Sequence, residues 1–320
     1  MALKLPPLDA RILKWNPDDL LERNCPICNL SDTDTRYIRP DALSIRLCKR
    51  CNTFFVTPAP SHQQLFSFYA TYDENHRRAS SISTKELLRE YQRIEPLSDY
   101  RIRELSSLMT LRNAKVLDVG FGRAKFLYFL MKLGALPYGI ELDEKSIEFA
   151  KALGIHNVFH GTITELTDKT KYDLIILNDL IEHPLNPMAL LKKSSELLDR
   201  KGLLLILTPN GDTANYEEFP TLFRVDLEHM QYFTPDTCLF IASELKLRIV
   251  HLESYGFPSL IGIDTPISKE QNLKAEIKKK IKSLPGFSFF DSFRMKLLTK
   301  KKDDERTGAY HLFCLMQKPA

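Results

Sequence analysis

The 320-residue chain has no apolar stretch long enough to span a membrane; its most apolar run, residues 203–207, is the length of a strand. The first sixteen residues hold scattered Lys and Arg but no continuous apolar core, so no secretory signal is visible and a cytoplasmic location is expected. Low-complexity tracts and internal repeats are also missing. With 43% hydrophobic and 27% charged residues, the composition excludes disorder and collagen-like chains and permits a sizeable core. Nor is there an excess of one charge, with 45 basic residues against 41 acidic. Residues 269–302 hold eleven Lys and Arg against three acids, so the remainder of the chain is net negative. A nucleic-acid footprint spread over the whole surface is therefore not expected.

Cysteine is scarce, yet four of the six form two CxxC pairs, Cys25 with Cys28 and Cys48 with Cys51, nineteen residues apart. Two such knuckles at this separation match the ligands of a four-thiolate zinc site. A pair of disulfides is the alternative, which a reducing compartment opposes. Four thiolates close the coordination shell, so the expected Zn2+ is structural. Cys238 and Cys314 stand in apolar contexts and read as core residues.

Short β segments at residues 36–38 and 44–47, with a strand at 53–56, predict a small zinc-ribbon module over residues 1–72. Residues 73–112 read as a linker followed by apolar positions at helical spacing, broken near Pro96. Beyond residue 113 the rhythm alternates: strands at 115–119, 136–141, 157–160, 172–178 and 202–208, with intervening helices. That order predicts βαβ units and a parallel sheet covered on both faces, with closing strands near 247–254 and 309–316.

After the first of these strands comes VLDVGFGRA (116–124), a glycine turn entering a helix, where backbone can approach a ligand closely. A dinucleotide fingerprint would need glycine at 125, and that position is Lys125. The stretch instead resembles the first motif of class I S-adenosylmethionine-dependent methyltransferases, D-x-G-x-G-x-G, with Ala124 for the last glycine. The resemblance continues through YGIELD (138–143), HGTI (160–163), YDLIILNDLIEH (172–183) and GLLLILTPN (202–210). It implies a Rossmann-like, seven-stranded, mostly parallel α/β sheet. The implied cofactor is S-adenosylmethionine, held by Asp118, Gly120, Phe121, Gly122, Glu141, Leu142, Thr162, Ile163 and Asn178. Glu141 is placed to accept from both ribose hydroxyls. Thr162 stands where the family usually has an acid against the adenine amino group.

Candidates for acceptor activation follow the fourth strand. Asp179, Glu182 and His183 are spaced i, i+3, i+4, one face if the segment is helical, and His229 lies in EHMQYFTP (228–235). Similar segments with a later His bind a divalent ion such as Mg2+ in ubiquinone-pathway and small-RNA methyltransferases. Two readings stay open: a divalent ion on Asp179, Glu182, His183 and His229, or His183 as a general base. Ribbon, linker and methyltransferase domain together resemble bacterial methyltransferases of sugar and surface-polysaccharide biosynthesis. Those acting on sugar carbons usually carry a larger C-terminal domain, which points to O-methylation of a sugar, glycan precursor or small metabolite. The rivals are an RNA or protein methyltransferase, and a zinc-ribbon adapter with a vestigial cofactor fold.

The basic segment lies in an insertion at residues 259–306. It alternates Lys with Leu273, Ile277, Ile281 and Leu284, followed by a phenylalanine-rich cluster. It predicts either a lid over the acceptor pocket or peripheral contact with an anionic membrane face through residues 269–302.

Overall fold

The computed structural model describes residues 2–8, 12–70, 84–167, 169–256 and 309–320. The expected basic insertion lies outside the described residues. The described residues up to 253, with 311–320, pack as one unit.

Near the N-terminus the strands are β1 (Leu3–Lys4), β2 (Leu20–Leu21), β3 (Thr33–Ile38), β4 (Ser44–Cys48), β5 (Phe54–Val56) and β6 (Ala59–Pro60). Helix α1 (His62–Ala70) follows. The short segment 59–60 pairs as β6 with β2. Helices α2 (Thr84–Arg93) and α3 (Tyr100–Leu108) flank the break at Pro96.

The alternating half then runs β7 (Lys115–Val119), α4 (Lys125–Lys132), β8 (Leu136–Glu141), α5 (Glu144–Ala152), β9 (Val158–His160), β10 (Tyr172–Asn178), α6 (Pro187–Leu197), β11 (Leu198–Pro209), β12 (Gln231–Tyr232), α7 (Pro235–Glu244), β13 (Arg248–Tyr255) and β14 (His311–Gln317). Helix starts are written locally. Asp143 caps α5 by accepting from the Ser146 amide, and Thr234 with Thr237 forms a capping box on α7.

Seven strands form one sheet in the order β13-β14-β11-β10-β7-β8-β9, with β14 antiparallel to β11. The strands at its centre are apolar without alternation, as helices on both faces require. Leu174, Ile175, Ile176 and Leu177 are fully buried, as are Leu204 to Leu207. Strand order reverses between β7 and β10, and ligands bind in such sheets at the carboxyl ends of strands flanking that switch.

The four-cysteine region is woven into this unit. Its sheet runs β1-β3-β4-β5-β12, so the fifth strand comes from residues 231–232. Cys25, Cys48 and Cys51 belong to the same buried cluster as Leu177, Ile206 and Phe233. Cys238 and Cys314 are buried, as their contexts imply. No helix among the described residues is long and apolar enough to cross a membrane.

Candidate active site and metal centres

The glycine turn leaves β7 through Gly120 (φ +71°) and Gly122 (φ +52°), and Ala124 also takes a left-handed conformation (φ +52°) at the start of α4. A Cβ on Gly120 would strain the backbone and meet Leu180 Cδ1 at 3.0 Å. Phe121 is buried against Gly139 of the neighbouring strand, where a Cβ would lie 2.5 Å from its ring. Glu141 ends β8 and holds the turn: Oε2 accepts from the Gly122 amide at 2.7 Å, and Oε1 from Leu142 and Asp143 at 2.7 and 3.2 Å. Leu142 is exposed beside it, and Ile163 is buried under the next loop.

Asp118 is buried, and its Oδ1 has no hydrogen-bond partner. Burial, reinforced by Glu141 and Asp179 and opposed by Arg101, pushes its carboxyl up to about 8. Arg101 was not singled out from the sequence. Its Nε and Nη2 donate to Asp99, its Nη1 donates to Asn178 Oδ1 at 3.1 Å, and it stacks over Phe126. The acid missing at Thr162 has a neighbour three residues on: Glu165 Oε2 accepts from the Thr162 amide and hydroxyl at 2.7 and 2.8 Å.

The segment 179–183 is a turn, so the helical condition on the i, i+3, i+4 spacing is not met. Asp179 adopts a left-handed conformation (φ +49°) with its amide bonded to Leu207, and Pro184 follows closely. Glu182, His183 and His229 nevertheless converge, with ligand atoms within 4.8 Å of one another; Asp179 does not join that trio. The two imidazole rings meet edge to face with centroids 4.7 Å apart. Glu182 Oε2 accepts from Thr208 at 2.9 Å, while Glu182 Oε1 and His229 Nδ1 are enclosed with no hydrogen-bond partner. Burial drives all three toward neutrality. It raises Glu182 well above the carboxylate range, with Asp179 adding to the rise. It lowers His183, and lowers His229 further with help from His183 and Arg39. Tyr69 of α1, another residue not singled out, lies 2.7 Å from His183 Nδ1 through its hydroxyl.

Two arginines from the cysteine-bearing region hold the loops that carry this trio. Arg39 is fully buried and donates to the carbonyls of His229 at 2.7 Å and Leu227 at 2.6 Å, to Tyr232 Oη, and to Asp41. Arg23 donates to the carbonyls of Leu185 and Met230.

The four cysteines come together as their spacing predicts. Their sulfurs lie within 4.8 Å of one another, with Cys25–Cys51 at 3.5 Å and Cys28–Cys48 at 3.4 Å. Those separations are far beyond a disulfide bond of about 2.05 Å. They approach the edge of a thiolate tetrahedron, about 3.8 Å for sulfurs about 2.3 Å from a zinc ion. The hydrogen bond from Cys25, aided by Thr53 against the cost of burial, brings the Cys51 thiol down to about 5.

A profile of the family described as a methyltransferase domain matches residues 83–252. A ubiquinone biosynthesis O-methyltransferase of Pelagibacter ubique is 33% identical over 125 residues, covering 38% of this chain and 51% of the relative. Its counterpart in Bartonella quintana is 29% identical over 114 residues, covering 34% and 46%. The chain thus spans about half the length of these relatives. Among solved structures, a SAM-dependent methyltransferase from Archaeoglobus fulgidus matches at 20% identity and a TM-score of 0.46, covering 78% of this chain and all of that one. The family match takes in the glycine turn, Glu141, the 179–183 turn and His229, on a sheet of the class I order. The chain belongs to the methyltransferase-domain family.

Proposed function

We propose that the protein is an S-adenosylmethionine-dependent O-methyltransferase whose acceptor is a hydroxyl of a small molecule, sugars and glycan precursors included. The observation that carries the reading is the convergence of Glu182, His183 and His229, two of them in the turn that leaves β10, beside β7, whose end carries the glycine turn.

The residues present fit the donor. The glycine turn leaves space that a Cβ at Gly120 would take, and the enclosed, unpartnered Asp118 oxygen suits a ligand carrying positive charge. Glu141 and Leu142 would hold the ribose and one adenine face, and Glu165 supplies the acid that Thr162 lacks. Arg101, fixed by Asp99 and Asn178, offers a counter-charge for the donor's carboxylate. The bound donor supplies an activated methyl group, so the protein's work is alignment, exclusion of water and management of the acceptor's proton.

That last task falls to Glu182, His183 and His229. Kept neutral by burial, His183 can accept a hydroxyl proton at neutral pH, with Tyr69 fixing the other face of its ring. The unpartnered Glu182 Oε1 and His229 Nδ1 favour a second reading, in which the trio holds a divalent ion such as Mg2+ or Zn2+ that acidifies the acceptor. The relatives' names refer to ubiquinone biosynthesis, which makes phenolic hydroxyls natural first candidates. The four cysteines, by donor type and spacing, fit a structural Zn2+.

The test is transfer of labelled methyl to a panel of phenol, catechol and sugar hydroxyls. His183→Ala is expected to abolish transfer while the demethylated donor still binds. If a chelator that leaves the cysteine zinc in place reproduces the loss, the ion reading holds; if it does nothing, His183 acts as base. An acceptor turned over normally by both His183→Ala and His229→Ala would remove both roles.

A further inference from the structure

We infer that Glu104, His251 and Glu253 form a binding site for a first-row divalent cation of the zinc class, separate from the cysteines and from the Glu182 trio. Glu104 projects from α3; His251 and Glu253 stand two apart on β13 and so share a face of that strand. One ligand atom from each residue lies within 4.8 Å of the other two.

His251 Nε2 is 3.3 Å from Glu253 Oε1 and 3.9 Å from Glu104 Oε1. The shorter of the two separations matches the edge of a coordination tetrahedron. Nitrogen and oxygen ligands about 2.0–2.1 Å from a tetrahedral zinc stand about 3.3–3.4 Å apart. The same Nε2 is shut off from solvent yet has no hydrogen-bond partner, although a carboxylate oxygen is so near. A nitrogen enclosed among acceptors without an aligned hydrogen bond is costly unless something occupies the space between them. Two carboxylates would balance a divalent charge. The imidazole disfavours Mg2+ and Ca2+, which prefer all-oxygen shells.

The surroundings resemble the outer shell of a metal centre. Tyr100 donates its hydroxyl to Glu253 Oε1, which orients that carboxylate, and the His251 ring rests edge-on against Phe313. The three side chains remain 16–28% exposed, which leaves an entry path and room for water as a further ligand. An ion here would staple α3 to strand β13. The residue beside Tyr100 on α3 is Arg101, so the staple would also steady the rim of the donor site.

The experiment is zinc stoichiometry and affinity of the full-length chain by equilibrium dialysis with elemental analysis, comparing wild type with Glu104→Gln and His251→Asn. Each variant should bind one zinc fewer per chain. The affinity lost at this site should exceed the roughly 10–100-fold that loss of an outer-shell partner alone produces. With Co2+ in place of zinc, the thiolate charge-transfer absorption of the cysteine site should stay unchanged. Equal zinc binding by wild type and both variants would overturn the site and leave His251 paired directly with two carboxylates. Should His251→Asn not fold, Glu104→Gln decides the matter.

Discussion

Replacing Arg39 with leucine should weaken the whole protein and loosen the loop that carries His229 while leaving the glycine turn intact. The guanidinium is fully buried, paired with Asp41, and supplies the partners of two loop carbonyls, those of Leu227 and His229. Burial works against its charge, and Tyr232 and Asp41 more than restore it. Arg39→Leu therefore strands a buried carboxylate and two carbonyls, and breaking a buried pair in this way costs roughly 3–5 kcal/mol. At roughly 2–4 °C per kcal/mol for a protein of this size, the melting temperature should fall by roughly 6–20 °C. The only tryptophan reports on this place, because Trp15 Nε1 donates to Asp41 Oδ2 at 3.0 Å. Urea unfolding followed by Trp15 fluorescence is thus the natural assay. Adding Asp41→Asn, which keeps acceptors for Trp15 but removes the stranded charge, should recover more than about 1 kcal/mol. Calorimetry with S-adenosylhomocysteine should show near-normal binding to Arg39→Leu at low temperature. A single variant as stable as wild type, or a double variant weaker than the single, would refute the reasoning.

Three further outcomes are expected. Glu141→Ala removes the acceptor that organises the glycine turn as well as the proposed ribose contacts, and should weaken donor binding by on the order of 1–3 kcal/mol, roughly 5–150-fold, by titration. Asp118 has a folded-state pKa of about 8 against an ordinary 3.8, so between those values the native state keeps a proton that the unfolded state has lost. Stability should fall as pH rises across that window, and Asp118→Asn should flatten the fall when unfolding free energies at pH 5 and pH 8 are compared. Metal analysis of protein purified without chelator should find zinc, and Cys28→Ser should lose it and destabilise the unit, because the cysteines share its core.

The features legible in the sequence are those written over short spans. The run at residues 174–177 announces a strand buried on both faces, the glycine turn announces a ligand at a helix start, and two CxxC pairs bring four sulfurs together. Spacing alone left the conformation of 179–183 open, because it carries no sign of the left-handed Asp179. Arg39, Arg23 and Tyr69 were illegible for a different reason. The contacts they make with the segments carrying the trio span 114 to 207 residues, where neither periodicity nor a motif connects them. Arg101 sits in a helix whose apolar spacing was clear, but nothing local marks one of its arginines as facing Asn178. The fifth strand of the cysteine-bearing sheet is two residues long, too short for any alternation to show.

The central claim is that the turn at residues 120–124 and Glu141 hold S-adenosylmethionine rather than a dinucleotide. Calorimetric titration of the full-length protein with S-adenosylmethionine, S-adenosylhomocysteine and NAD tests it most directly. The account predicts saturable one-to-one binding of the first two, weakened in Glu141→Ala, and no heat from NAD. Tight NAD binding, or failure of both sulfur-containing ligands to bind the folded protein, would contradict it.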